Sequence, residues 1–263
     1  MVSAVPGTLL VGPPEAVRQI ATLVERPPSP SGDCGVVWLP GLKSEMTSTK
    51  ANAIANWARQ ENINCTRLDY SGHGQSSGRF EDGTISAWLD EVDAVVTKLT
   101  EGPQVLVGSS TGGYLALLLL KRYLQSSPAT ADRIRALVLI APAWDLTKLM
   151  WDNFPASARR AITEQGVFMR PSAYGDGPYA ITRGFIEDGN KHLIGPQGFD
   201  PGRPIYVLHG LQDEDVPWEH TLDLVSILTG DHVFVEAVPE GGHRLSTPAD
   251  IALMLGLVAK ALV

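Results

Sequence analysis

Two stretches of the chain place a serine between glycines at G-x-S-x-G spacing. Gly108-Ser109-Ser110-Thr111-Gly112 centres on Ser110, and Gly74-Gln75-Ser76-Ser77-Gly78 centres on Ser76. This spacing suits a sharp strand-to-helix turn that exposes a serine hydroxyl as a nucleophile. The glycines let neighbouring backbone approach closely. A serine hydroxyl is a poor nucleophile until a base takes its proton, and the base needs a third group to orient it. A histidine and a carboxylate must therefore be found elsewhere in the chain.

Context separates the two serines. Before Ser110 runs VLVGS, a short apolar stretch suited to a buried strand. After it runs YLALLLLKRYL, long, leucine-rich and free of proline and glycine, as a buried helix should be. Ser76 follows the polar stretch DYSGH and leads into RFEDG, with neither strand nor helix beside it. Ser110 is the candidate nucleophile.

In a strand–turn–helix setting of this kind the partners follow in the order serine, acid, histidine. After the run PIYVLHG come Asp213, Glu214 and Asp215, and after VFVEAVPE comes GGHRLS with His243. Of the six histidines, His73, His192 and His209 precede the acids, so chain order excludes them as the base. His220 opens a predicted helix and His232 a predicted strand, which leaves His243. Among the acids, Asp213 lies three residues past Gly210 in the tight turn, pointing along a sheet edge. Asp215 precedes Val216-Pro217, where a carboxylate more often caps a helix and faces solvent. Developing negative charge on the substrate needs donors. The N–H of Thr111, at the start of a helix, can supply one. The N–H of Leu42, after the Pro40-Gly41 turn, is the candidate for the other.

These residues require elements to hold them. Short apolar runs at Val36–Leu39, Asn64–Leu68, Val105–Ser109, Arg135–Ile140, Ile205–His209 and His232–Val238 predict strands. They alternate with predicted helices at Thr49–Gln60, Ile85–Thr100, Gly113–Gln125, His220–Leu228 and Asp250–Leu262. Such alternation predicts a single α/β domain with a mostly parallel sheet and helices on both faces. Thr8–Val11 and Ile20–Val24 are candidate antiparallel edge strands. The rhythm breaks over 142–204, after the sixth of these apolar runs once the edge pair is counted. There Trp144, Met150, Trp151, Phe154, Phe168, Met169, Tyr174, Tyr179 and Phe185 accumulate among short helical and turn-rich pieces. An ordinary satellite core would account for them. A cap over the carboxyl edge of the sheet would too, with Trp144, Trp151 and Phe168 as candidate substrate-pocket residues.

Composition narrows the partners. Apolar content of 44% and charged content of 19% fit a globular chain, and a net charge of −8 argues against a nucleic-acid or anionic-membrane surface. The two cysteines, Cys34 and Cys65, are too few for a cysteine-rich metal site and fit a reducing compartment better than a disulfide framework. No run is long enough to predict a membrane span, and the N-terminal stretch has no secretory pattern, so a cytoplasmic location is expected.

The quoted segments, in this order, resemble the α/β-hydrolase superfamily over nearly the whole chain. LPGLKSEMTSTKA, RLDYSGHGQSSG, QVLVGSSTGGYL, QGVFMRPSAYGDG and HGLQDEDVPW are similar to the versions in the mammalian mitochondrial acyl-glucuronide esterase and palmitoyl-protein thioesterase group. The resemblance implies a Ser110–Asp213–His243 triad, an acyl-enzyme route to cleavage of a small-molecule carboxylic ester or thioester, and no metal or organic cofactor. It also makes the segment around His73 a structural turn. A different hydrolase on the same triad (a peptidase, lactonase or perhydrolase) is the rival, with a non-catalytic binding module behind it, since fold alone does not fix reaction.

Overall fold

The structure is a computed structural model that describes residues 4–172 and 177–263. Ten strands are described: β1 (Val5–Val11), β2 (Arg18–Glu25), β3 (Gly35–Leu39), β4 (Cys65–Leu68), β5 (Gln104–Ser109), β6 (Ile134–Ile140), β7 (Val167–Arg170), β8 (Tyr179–Thr182), β9 (Ile205–Gly210) and β10 (Val233–Val238). Eight form one sheet in the order β1-β2-β4-β3-β5-β6-β9-β10. From β4 to β10 all neighbours run parallel, while β1 and β2 join antiparallel at one edge. The α/β-hydrolase fold expected from the sequence is thus the fold observed, and the edge strands are present.

Strict alternation along the central strands explains why the sheet is covered on both faces. Val37, Leu39, Leu106, Leu137 and Leu139 point into one apolar layer, with α2 (Ile85–Leu99), α3 (Thr111–Ser126) and α8 (Trp218–Ile227). Val36, Trp38, Val105, Val107, Val138 and Ile140 point into the other, with α1 (Thr49–Gln60) and α9 (Pro248–Leu262). Strands buried on both faces read as nearly continuous apolar runs because successive side chains face opposite layers.

The chain leaves β3 for β4 on one side and later returns to β5 on the other. The crevice beyond the carboxyl ends of β3 and β5 is therefore the point at which the winding reverses, the place where open α/β sheets bind ligands.

Between β6 and β9 the 142–204 segment folds as α5 (Leu146–Asn153), α6 (Ala156–Arg160), the hairpin β7–β8 and α7 (Arg183–Gly189). A short helix α4 (Pro128–Ala131) precedes β6. The hairpin pairs only with itself and adds nothing to the main sheet. The sequence did not announce these two strands, because each is four residues long and carries no long apolar run. The segment packs against the rest of the protein on both of its sides. Phe185 packs on Trp88 of α2, and Tyr179 meets Phe80 edge-on at 5.8 Å. On the far side, Arg170 pairs with Asp215 at 3.1 Å. Tyr174, part of the expected aromatic load, lies outside the described residues. No described helix is long and apolar enough to cross a membrane.

Candidate active site

Ser110 sits between the end of β5 and the first residue of α3, with φ 53° and ψ −114°. A side-chain-bearing residue rarely adopts this conformation, and it persists only where the surroundings over-determine it. They do so here. Ser110 N–H donates to Ile140 O at 2.8 Å, and Ser110 O accepts from the N–H groups of Tyr114 and Ala143, each at 3.2 Å. Gly112 is forced by packing, since a Cβ there would run into the Leu39 carbonyl at the end of β3. Tyr70 Oη donates to Pro40 O at 3.0 Å and fixes the loop after β3. A Cβ on Gly41 would lie 3.4 Å from Ser110 Cβ, so this loop lies against the elbow.

The loops after β9 and β10 come together in the same way. A Cβ on Gly210 would collide with the backbone of Gly241, and Gln212 N–H donates to Gly241 O at 2.8 Å. This contact brings Asp213 and His243 side by side. His243 Nδ1 lies 2.8 Å from Asp213 Oδ2, and His243 Nε2 lies 3.1 Å from Ser110 Oγ. An ionised carboxylate only accepts, so Nδ1 carries the proton and Nε2 is free to accept from the serine hydroxyl. The Asp213 side chain is fully buried, and its other oxygen accepts from the N–H groups of Asp215 at 2.9 Å and Val216 at 2.8 Å. Lys50 of α1 donates to the carbonyl of Arg244 and anchors the loop just after the histidine.

Of the two candidate donors for a developing oxyanion, Thr111 adjoins Ser110 in the chain and Leu42 lies in the loop that approaches it. Thr111 is the first residue of α3, where the helix itself offers its N–H no partner. Leu42 follows Gly41, whose backbone touches the elbow. No cluster of histidine, cysteine or acidic side chains suited to a metal occurs among the described residues. Cys34 and Cys65 are both free.

Ser76, centre of the second glycine-flanked motif, serves the fold. Its hydroxyl donates to Asp69 O at 2.6 Å and accepts from Ala21 N–H at 2.8 Å, tying the turn to β2. His73 is buried there against Tyr70, Phe80 and Trp88. His192 contacts Ser86 Oγ at 2.7 Å, and His232 is a surface neighbour of Asp200. One expectation needs correction. Asp215 does not cap α8, whose N-cap residue is Pro217. It is half-buried and pairs with Arg170, because the hairpin of the 142–204 segment reaches over to it. His209, set aside by chain order, proves to be buried beside Asp213, with Nε2 3.7 Å from Oδ2. A histidine inside the apolar strand IYVLHG was the signal for it.

The three aromatic candidates divide. Trp144 is almost fully buried and stacks on His220 at 4.7 Å. Its Nε1 donates to His220 O, while His220 Nε2 donates to Trp144 O, both at 2.7 Å. Trp151 and Phe168 are half-buried, and Phe168 meets Phe154 edge-on at 5.4 Å.

Known proteins share this arrangement of chain and fold. Residues 34–173, more than half of the chain, match the family described as "Serine aminopeptidase, S33". Human "Palmitoyl-protein thioesterase ABHD10, mitochondrial" is 32% identical over 222 residues, covering 84% of this chain and 70% of that protein. A putative hydrolase from Agrobacterium vitis S4 superposes with a TM-score of 0.93 at 36% identity, covering 99% of this chain and 100% of that one. Mouse α/β hydrolase domain-containing protein 10 superposes with a TM-score of 0.82 at 28% identity, covering 97% and 98%. Those thioesterases are named as mitochondrial proteins, so they lend no support to the cytoplasmic location expected above. On sequence, topology and coverage alike, the chain belongs to the α/β-hydrolase superfamily of serine hydrolases.

Proposed function

We propose that the protein cleaves carboxylic esters or thioesters through an acyl-enzyme, with Ser110 as nucleophile, His243 as base and Asp213 as the orienting acid. The observation that carries this reading is the relay of contacts from Ser110 Oγ to His243 Nε2 at 3.1 Å and from His243 Nδ1 to Asp213 Oδ2 at 2.8 Å. Ser110 Oγ attacks the acyl carbon as its proton passes to Nε2. The resulting oxyanion is stabilised by the N–H groups of Thr111 and Leu42. His243 then returns the proton to the departing alcohol or thiol, leaving Ser110 acylated. A water molecule, deprotonated in turn by His243, releases the acid. Asp213 holds the imidazole in the required tautomer and stabilises its cation. The 142–204 segment acts as the cap, with Trp151 and Phe168 lining the acyl pocket. The thioesterase relatives support an acyl substrate. The aminopeptidase label of the matched family makes amide hydrolysis the rival reading.

The test is covalent labelling by a fluorophosphonate, followed by kinetics on a panel of p-nitrophenyl acyl esters, acyl thioesters and aminoacyl amides. Ser110 should carry the label, and esters or thioesters should be turned over faster than amides. Ser110→Ala should lower kcat by roughly 10⁶, since triad members act as a unit. Labelling at Ser109 or Ser76 with Ser110 untouched, or amides as the better substrates, would overturn the reading.

A further inference from the structure

A second histidine lies beside Asp213. His209, one residue before the end of β9, has no exposed surface, and its ring is bonded on both sides. Nε2 lies 3.0 Å from Val216 O, a group that can only accept, so Nε2 carries the proton. Nδ1 of the neutral ring then accepts from the hydroxyl of Thr221 on α8, at 2.8 Å. Thr221 is itself wholly buried. Trp218 packs against the ring at 5.7 Å. The same Val216 whose carbonyl meets His209 gives its N–H to Asp213 Oδ1. The residue that positions the carboxylate is therefore fixed at its carbonyl by His209 and at its amide by the carboxylate itself. Nε2 also lies 3.7 Å from Asp213 Oδ2, the oxygen that meets His243.

We infer that His209, set by Thr221, is a positioning residue that fixes the Asp213 loop and so the aim of His243 at Ser110. This inference rests on the hydrolase reading above. His209 touches no reacting atom and acts through Asp213. Burial lowers its pKa from the usual histidine value, opposed by the charge of Asp213, so the ring stays neutral and does not compete with His243 as the cationic partner of the carboxylate. An apolar side chain in its place would leave the buried Val216 carbonyl unpaired. The Val216 amide that bonds Asp213 Oδ1 would then lose the contact that fixes its residue.

Three variants of the full chain test this: Thr221→Val, which removes one hydroxyl at nearly constant volume, His209→Phe, which keeps the ring, and His209→Gln, which can restore an N–H toward Val216 O. The readouts are the rate of fluorophosphonate labelling at Ser110, kcat and KM on p-nitrophenyl butyrate, and thermal melting. Thr221→Val and His209→Phe should slow labelling and lower kcat by roughly tenfold to hundredfold with KM unchanged, the scale of a small misplacement of catalytic groups. His209→Gln should recover part of the loss. Folded variants that label and turn over like the wild type overturn the inference. So does a loss that His209→Gln fails to reduce. A wild-type protein that is not labelled at Ser110 locates the failure in the hydrolase reading, and the role of His209 falls with it.

Discussion

Asp213 and Asp215 stand two residues apart and do different work. Asp213 is buried and spends both oxygens on directional bonds, one on His243 and the other on two backbone amides. Asp215 reaches outward to Arg170, and both side chains of that pair are about 30% exposed, at 31% and 28%. Asp213→Asn should keep the fold but offer an amide to His243 and favour the wrong tautomer, a change that costs on the order of 10⁴ in kcat in serine proteases with the same triad. Asp215→Asn keeps its backbone N–H to Asp213 Oδ1. It weakens a partly solvated ion pair with Arg170, of a kind worth about 0–1 kcal/mol. Parallel kinetics on the two folded proteins decide the matter, and an active Asp213→Asn beside a dead Asp215→Asn would refute the assignment. The serine, acid and histidine were legible because each lies in a glycine-marked loop just past an apolar run, in a fixed order. The Asp215 pairing was not legible, since it depends on a hairpin arriving from 45 residues away. His209 was hidden for a related reason, because chain order speaks to the base and not to what braces the acid.

At the scale of elements, the aromatic side chains of the 142–204 segment divide by burial. Trp144 is joined to His220 by a ring stack and two reciprocal hydrogen bonds, so it ties the start of the segment to α8. Trp144→Ala should destabilise the protein by about 3–5 kcal/mol, the usual loss for a large buried aromatic, and leave the acyl-length preference of the surviving enzyme unchanged. Trp151 is only half-buried, so Trp151→Ala should lower the melting temperature less and shift relative rates across short and long p-nitrophenyl esters. Melting curves and an ester-length series on both variants check this. A selectivity shift in Trp144→Ala with none in Trp151→Ala would reverse the two roles. The central strands of the sheet were readable almost to the residue. They are buried on both faces, and the helices between them are long, so hydrophobic runs mark both. The hairpin β7–β8 was not, because four-residue strands that pair only with each other carry no such run.

Across the whole molecule, several histidines other than His243 are enclosed rather than exposed, and burial lowers their pKa values. His73 is pushed down to about 4, and His192, His209 and His220 shift in the same direction. The unfolded chain binds protons at these rings near pH 6.5, where the folded one does not. Their contribution to stability is therefore fully present above pH 6.5 and is lost progressively as pH falls through the folded values. His73 is the clearest case. Desolvation is the largest cause of its shift, reinforced by Lys43 and opposed by the Ser71 carbonyl and Asp69. Its Nε2 is buried without a hydrogen-bond partner among the described residues. Its Nδ1 bonds Ser71 O at 3.2 Å, but that carbonyl also accepts from Trp88 Nε1 at 3.1 Å. Phenylalanine at this position would keep the edge-on contacts with Tyr70, Phe80 and Trp88 and leave Ser71 O paired. His73→Phe should thus be close to neutral in stability at pH 7.5. On acidification from pH 6.5 to pH 4 the wild type should lose up to about 3 kcal/mol more than the variant, the linkage value of a shift of this size. Urea unfolding at a series of pH values measures the difference directly. Parallel losses in the two proteins over that range would mean that His73 is already charged in the folded state, and that acid sensitivity arises at the other buried histidines.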